Sequence, residues 1–176
     1  MSLDYSEIEE IINSNKRMKN ILIIGSNFPP EDAEKRDKVI GHFRLLGYKK
    51  TIKMEEIIKE SKDLDKEFFS TFKQQDAIVA ILSRTAYREG VCWELGFMQG
   101  LSYHDMESLY DKLFVCIQGG VADITASSKD AVTKMVSAGL LRHRDLKIIP
   151  FENNNSLLKE ALAQIESHFI GGEYGK

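Results

Sequence analysis

The chain has 176 residues, of which 43% are hydrophobic and 29% are charged. That is enough for one self-sufficient core, and the composition excludes a disordered or collagen-like protein. With 24 basic and 27 acidic residues the formal net charge is −3, which gives no broad positive field to hold nucleic acid or an anionic membrane. We therefore expect a small-molecule or protein partner, and neither nucleic acid nor a membrane.

The remaining compositional signals point to the cytoplasm. Cys92 and Cys116 stand far apart with no C-x-x-C motif, which is typical of a reducing compartment. The histidines are dispersed and none forms an H-E-x-x-H motif, so we expect no metal site and no cofactor. No apolar run approaches the roughly 18 residues that span a bilayer, and the N-terminal residues do not resemble a signal peptide.

Helix-like and strand-like patterns alternate along the chain. Isoleucines at helical spacing predict a short amphipathic helix over residues 4–17, before the first strand. Aliphatic runs predict strands over residues 20–25, 48–54 (the weakest), 77–82, 113–117 and 146–150. Apolar positions at helical spacing predict helices over residues 31–46, 55–74, 90–102, 127–139 and 156–169, the first of them stopped by Gly47.

Strands separated by helix-length segments indicate right-handed βαβ crossovers and a parallel sheet. The sequence therefore predicts an α/β three-layer sandwich with a parallel five-stranded sheet, flavodoxin-like or Rossmann-like. No linker-like segment or internal repeat interrupts the pattern. We expect an N-terminal helix and lead-in over residues 1–19, a single domain over residues 20–170 and a tail over residues 171–176.

Ligands of open parallel sheets bind outside the carboxyl ends of the strands. This rule nominates the segments that follow three predicted strands, namely Gly25, Ser26, Asn27 and Phe28, then residues 83–94, then residues 118–120.

The first of these segments is neither a dinucleotide fingerprint nor a P-loop, because the further glycines and the G-K-S/T are missing. Ser26 and Asn27 offer hydrogen-bonding groups and Phe28 offers a stacking surface, although an ordinary polar turn accounts for them equally well. After the fourth strand, Gly119 either presents a backbone amide to a phosphate or simply turns the chain.

Glu94 is the most unusual residue of the predicted helix over residues 90–102. Projection at about 100° per residue places its carboxylate inside the apolar arc of Val91, Leu95, Met98 and Leu101. Burial of a carboxylate is costly unless it is paired, protonated or facing a cavity. Glu94 is therefore either the partner of an arginine in a fold-specifying ion pair or a carboxylate at the floor of a pocket.

Two segments, residues 76–83 and residues 88–100, resemble a pattern shared by the nucleoside 2-deoxyribosyltransferases and the TIR-like nucleotide-binding proteins. In both families an apolar strand that opens with an acidic residue leads through a polar loop into a helix with a Glu-aliphatic-Gly core. Here that core is Glu94-Leu95-Gly96. The resemblance in organisation spans residues 20–120 and is tight over residues 76–100.

The resemblance implies chemistry at an N-glycosidic bond. It gives Glu94 the role of the catalytic carboxylate, and it places Ser26, Asn27 and Phe28 along the pocket for the base or the ribose. It also implies a homo-oligomer, because related transferases share active sites between subunits. A carboxylate beside an oxocarbenium-like transition state fits this chemistry.

The loop before this helix departs from the transferase pattern. Where the transferases carry an acidic residue that holds the sugar, this chain has Ser83, Arg84 and Arg88, with only Glu89 acidic. Arginines suit a phosphate better than a bare sugar, so the departure favours a nucleotide ligand, while a solvated loop is the alternative. We expect a small-molecule nucleotide or nucleoside and cleavage or transfer at its N-glycosidic bond. The alternative is a non-catalytic nucleotide-sensing or TIR-type interaction module.

Overall fold

A computed structural model describes most of the secondary structure of the chain. The described residues are 4–27, 29–58, 63–83, 91, 95, 96, 98, 100, 109–119 and 146–167.

In chain order the described elements are α1 (Tyr5–Met18), β1 (Asn20–Gly25), α2 (Pro30–Leu45), β2 (Lys50–Lys53), α3 (Met54–Ile58), α4 (Leu64–Gln74), β3 (Ala77–Leu82), a 3₁₀ turn (Leu109–Lys112), β4 (Leu113–Gln118) and β5 (Lys147–Phe151). Helices and strands follow one another in the predicted order, except that two helices separate β2 from β3 and that the segment between β4 and β5 lies outside the described residues. Helical residues between positions 91 and 100 are called the post-β3 helix. The closing helix begins with Asn154–Ser156, widens into a π-helical turn over Leu157–Ala161 and continues through residues 162–167.

All five strands lie in one parallel sheet with the order β2-β1-β3-β4-β5. This order confirms the predicted α/β architecture with a parallel five-stranded sheet, of the flavodoxin-like, Rossmann-like type. The chain moves outward from β1 to β2, returns to β3 on the other side of β1, and then continues to β4 and β5. The direction of winding therefore reverses at the β1–β3 junction, which is where ligands of such sheets bind.

Two apolar clusters cover the two faces of the sheet and produce the three layers. On one face α2 and the closing helix pack on the strands through side chains such as Phe43 and Ile165. On the other face α3, α4 and the post-β3 helix contribute Met54, Phe72 and Leu95. The central strands are buried on both sides, which is why their sequences read as continuous aliphatic runs.

Some predicted boundaries differ from the observed ones. The weak strand predicted over residues 48–54 is a shorter strand, β2, because Tyr48 instead packs into the core beside Phe43. The helix predicted over residues 55–74 is two helices, α3 and α4. The helix predicted over residues 127–139 lies outside the described residues.

The first helix sits on the outside of the fold. None of the side chains of α1 is buried, although its isoleucines follow a helical period. Lys16 connects it to the rest of the fold, because its Nζ lies 2.5 Å from Oε1 of Glu166 and 5.5 Å from the ring centroid of Tyr48. Within the described part of the chain, no helix combines the length and the apolar character needed to cross a membrane.

Two glycines, one inside α2 and one just after it, should respond in opposite ways to substitution by alanine. Gly47 follows the helix with φ +102° and ends it as predicted, whereas Gly41 lies inside the helix with open space where a Cβ would sit. We expect Gly47→Ala to lower the free energy of unfolding by about 1–2 kcal/mol because the positive φ strains an L-residue. Gly41→Ala should raise it by about 0.5–1 kcal/mol through lower backbone entropy of the unfolded chain.

Urea unfolding followed by circular dichroism measures both changes on the same scale. Equal effects of the two substitutions would contradict the assignment of Gly47 as the residue that ends the helix.

Candidate functional site at the carboxyl edge of the sheet

The carboxyl ends of β1, β2 and β3 gather polar side chains around the N-terminal half of α2. Eight of them form two hydrogen-bonded groups on either side of α2, which together we call the edge cluster, namely Asn27, Asp32, Lys35, Arg36, Asp37, Lys53, Glu55 and Ser83. Because α2 follows β1 directly, its first turns lie over the end of β1, next to the strands on either side. The cluster thus occupies the reversal point of the sheet.

One half of the cluster joins α2 to β3. The ammonium of Lys35 lies 2.8 Å from Oδ1 of Asp32 and donates to Oγ of Ser83 at 3.3 Å. Asp32 is 3% exposed and Ser83 is 1% exposed, while the Lys35 side chain keeps 14% of its surface open. Two buried oxygen atoms therefore hold a partly open ammonium group at the β1–β3 junction.

The other half of the cluster joins α2 to the loop after β1 and to α3. Nη1 of Arg36 donates to Oδ1 of Asn27 and, at 2.6 Å, to Oε1 of Glu55. Asn27 Nδ2 donates to the same Glu55 oxygen, and Nη2 of Arg36 lies 3.1 Å from Oδ1 of Asp37. Arg36 is only 4% exposed, so its guanidinium is a buried link between three elements.

Gly25 makes room for this link at the end of β1. A Cβ on Gly25 would lie 3.1 Å from Cγ and 3.2 Å from Cβ of Arg36. The Cβ of Arg36 is fixed to the backbone of α2, so it can give way only if the helix shifts by a few tenths of an ångström. The close approach of α2 therefore favours glycine at the end of the first aliphatic run, independently of any ligand.

The formal charges within the cluster cancel. It holds three cations (Lys35, Arg36 and Lys53) and three carboxylates (Asp32, Asp37 and Glu55). A neutral surface rich in hydrogen-bond donors and acceptors suits the hydroxyl groups of a sugar. Buried polar groups favour a ligand that completes their hydrogen bonds over one that leaves them unpaired. The anionic part of a nucleotide would need further cations.

Glu55 has the least satisfied carboxylate among these residues. Its Oε1 accepts from Arg36 and Asn27, whereas its Oε2 is buried and has no hydrogen-bond partner among the described residues. The side chain as a whole is 31% exposed, so the carboxylate lies at the boundary between the cluster and solvent. A buried carboxylate oxygen without a donor is costly, and a ligand donor would relieve that cost.

The structure brings together three of the residues nominated from the sequence. Gly25 packs against Arg36, Asn27 bonds to Arg36 and Glu55, and Ser83 holds Lys35. Ser26 follows Gly25 and is partly buried. The other nominated residues of this edge, Phe28, Arg84, Arg88 and Glu94, lie outside the described residues.

Gly119 lies on a different part of the edge, after β4. Its φ is +92° and its N–H donates to the carbonyl of Phe151 at 2.9 Å, so this amide links β4 to β5 instead of pointing to a ligand. It lines a groove of about 360 Å³ whose other walls include Pro150, Glu152 and Ser156. The polar network and the reversal of winding are at β1 and β3, and we therefore place the candidate site there and not in this groove.

The segment in which the sequence places Glu94 is helical at every described position. Val91, Leu95 and Met98 are buried in the same apolar cluster as Leu82 of β3. This confirms the apolar stripe of the post-β3 helix from which the position of Glu94 was inferred. The orientation of Glu94 itself stays a prediction.

Cys116 has no place in the chemistry of the site. It lies inside β4, and complete burial raises the pKa of its thiol to about 12. Thiolate is the reactive form of cysteine, so this side chain serves packing. Among the described residues, no three His, Cys, Asp or Glu side chains are arranged to hold a metal ion.

The sequence analysis missed the contribution of α2. Projection at about 100° per residue places Asp32 and Arg36 in the same arc as Val39 and Phe43, and all four are buried. The argument that singled out Glu94, a charge within an apolar stripe, applies equally to these two residues and would have found them. These two residues were overlooked because the many charged residues over positions 31–38 are typical of a solvent-exposed helix start.

No protein-family model matches the chain, and no curated protein matches it either. The fold and the edge cluster are thus the basis on which a function can be argued.

The buried guanidinium should be essential to the stability of the cluster. Arg36→Met removes the shared donor of Asn27, Asp37 and Glu55, and we expect a loss of about 2–3 kcal/mol, less than for a fully buried pair because Glu55 is partly exposed. The double variant Arg36→Met/Glu55→Met should recover part of this loss, since it leaves no unpaired carboxylate.

Lys38→Met is the matched control on the same helix. Lys38 pairs with Glu34 on the surface, where both side chains are largely exposed, so its loss should leave the unfolding midpoint unchanged. Urea midpoints that are the same for Arg36→Met and Lys38→Met would show that the buried network contributes nothing.

Proposed function

We propose that this protein binds a nucleoside or nucleotide at the edge cluster and that Glu94 carries cleavage or transfer at the N-glycosidic bond. The observation that supports the binding site is the neutral, hydrogen-bonding edge cluster at the β1–β3 junction of a parallel sheet. The proposal for Glu94 rests on the resemblance of residues 76–100 to the deoxyribosyltransferase and TIR-like families.

The two described halves of the cluster suit different parts of such a ligand. Lys35, fixed by Asp32 and Ser83, offers a partly open ammonium to an anionic or hydroxyl oxygen. Asn27 and Glu55 offer an amide and a carboxylate, which are groups that bind sugar hydroxyls. In this proposal the negative charge of a phosphate is balanced by Arg84 and Arg88, because the described charges of the cluster already cancel.

The proposed reaction needs one carboxylate close to the anomeric carbon. Glu94 attacks C1′ of the sugar or stabilises its oxocarbenium form while the C1′–N bond breaks. The base leaves with the bonding electrons and takes up a proton. Water, or a second base in a transfer reaction, then attacks C1′ and releases the sugar from the carboxylate. An apolar stripe of Val91, Leu95 and Met98 around that position would strengthen the electrostatic effect by excluding water.

The second candidate is a nucleotide sensor or TIR-type interaction module that binds without reaction. It is favoured by the same internal ion pairing, because a site whose described charges are mutually satisfied can hold a ligand through hydrogen bonds alone. The two candidates share the binding site and differ in the fate of the glycosidic bond.

Base release distinguishes the candidates. The protein is incubated separately with NAD, with nucleoside monophosphates and with deoxynucleosides, and the free base is followed by chromatography. We expect release from at least one of these substrates, and a fall of at least about 100-fold in Glu94→Gln, which loses the charge that stabilises the transition state. Binding of the same compounds is measured by calorimetry.

Glu34→Gln is the matched control, because the Glu34 side chain is exposed on α2 and pairs with Lys38 on the surface. It should release base at the rate of the unsubstituted protein. Binding without base release would favour the sensor, whereas absence of binding to every compound would overturn the proposed function. Equal activity of Glu94→Gln and the unsubstituted protein would remove Glu94 from the reaction.

A further inference from the structure

We infer that Glu55 binds the vicinal hydroxyls of a ribose and makes the site selective for ribonucleotides over 2′-deoxyribonucleotides. This inference rests on the proposed function and adds the class of sugar. It assigns a role to a residue that neither the motif at residues 76–100 nor the loop after β1 contains.

The first observation is the state of the carboxylate. Within the described part of the chain, the donors from Arg36 and Asn27 converge on Oε1 of Glu55, and its buried Oε2 has no partner. A carboxylate has about four acceptor positions on its two oxygens. Two adjacent hydroxyl donors, as in the 2′,3′-diol of ribose, match this remaining capacity, whereas a 2′-deoxy sugar supplies one of them.

The second observation is the way the carboxylate is held. Arg36 is buried and clamps Oε1 at 2.6 Å, while Asn27 bridges from the end of β1 to the same oxygen. These contacts hold the Glu55 side chain at the carboxyl edge before a ligand arrives, which lowers the entropic cost of binding. The side chain is 31% exposed, so the carboxylate group borders solvent. In this inference the diol binds when the carboxylate turns about its Cγ–Cδ bond, which brings Oε2 to the open side and rearranges the contacts at Oε1.

The third observation is position. Glu55 is the second residue after β2, so it stands at the carboxyl edge beside the end of β1. Asn27 connects it to the loop that follows Gly25. A ligand that lies across the β1–β3 junction can thus place its sugar edge against Glu55 and still reach the loop after β3.

Glu55→Gln tests the role of the carboxylate with little change in shape. The amide oxygen can still accept from Arg36, but the amide nitrogen cannot accept from a hydroxyl. Affinities are measured by calorimetry for AMP, GMP, CMP and UMP and for their 2′-deoxy counterparts. Comparison of each pair within one variant cancels any general loss of stability.

We expect the unsubstituted protein to bind at least one ribonucleotide at least about tenfold more tightly than its 2′-deoxy form. A factor of this size corresponds to one hydrogen bond to a charged group. In Glu55→Gln both forms should bind more weakly, the 2′-deoxy form less so because it loses only the contact of its 3′-hydroxyl, and the affinity ratio between the two forms should fall to about one. Glu56→Gln, the next residue of α3 with an exposed carboxylate, should retain the preference.

Equal binding of ribose and deoxyribose forms by the unsubstituted protein would overturn this inference and leave the proposed function intact. A preference that survives in Glu55→Gln would also overturn it. Absence of binding to every nucleotide would instead overturn the proposed function, and this inference with it.

Discussion

The two central strands, β1 and β3, carry apolar side chains on both faces, and the rest of the fold depends on covering them. A parallel sheet with such strands is stable only when helices pack on both sides. The chain meets this requirement by winding outward from β1 in one direction and then from β3 in the other. The reversal necessarily leaves the ends of β1 and β3 side by side, with diverging connections above them.

α2 shows how a single helix serves both the core and the edge. Its C-terminal half places Val39, Ile40 and Phe43 on the sheet. Its N-terminal half extends the same stripe beyond the end of β1, where no strand remains to be covered, and there the stripe carries Asp32 and Arg36. Charged side chains on this extension are satisfied by one another and by the neighbouring strand ends. The same face of α2 therefore packs on the sheet in its C-terminal half and forms the polar contacts of the edge cluster in its N-terminal half.

Much of the fold could be predicted because strands buried on both faces require continuous runs of apolar residues, which can be recognised in the sequence. Continuous aliphatic runs identified β1, β3, β4 and β5, and Gly47 identified the end of α2. β2 was predicted too long because Tyr48 is apolar but belongs to the core beside the strand. The start of α4 was missed because periodicity continues across it, although Asp63 is a helix cap whose side chain accepts from the N–H of Lys66.

The candidate site was less predictable, for a physical reason. Gly25, Asn27 and Ser83 were identified because the ends of strands are recognisable, and the strand order brings them together. Lys35 and Glu55 lie in segments whose charges look like those of solvated helices. Their roles come from contacts between residues far apart in sequence, such as Lys35 with Ser83 and Arg36 with Glu55. A pattern read along one segment contains no information about such contacts.

The strand that ends the described sheet has a consequence for association between molecules. β5 contains Pro150, which pairs in register with Ile117 of β4 and has no N–H to offer on its open side. The strand at the opposite end, β2, has four residues and begins and ends with lysine. The missing N–H on β5 opposes the addition of a strand from another molecule. On β2 the short length and the lysines have the same effect. Both border strands of the described sheet therefore oppose edge-to-edge aggregation.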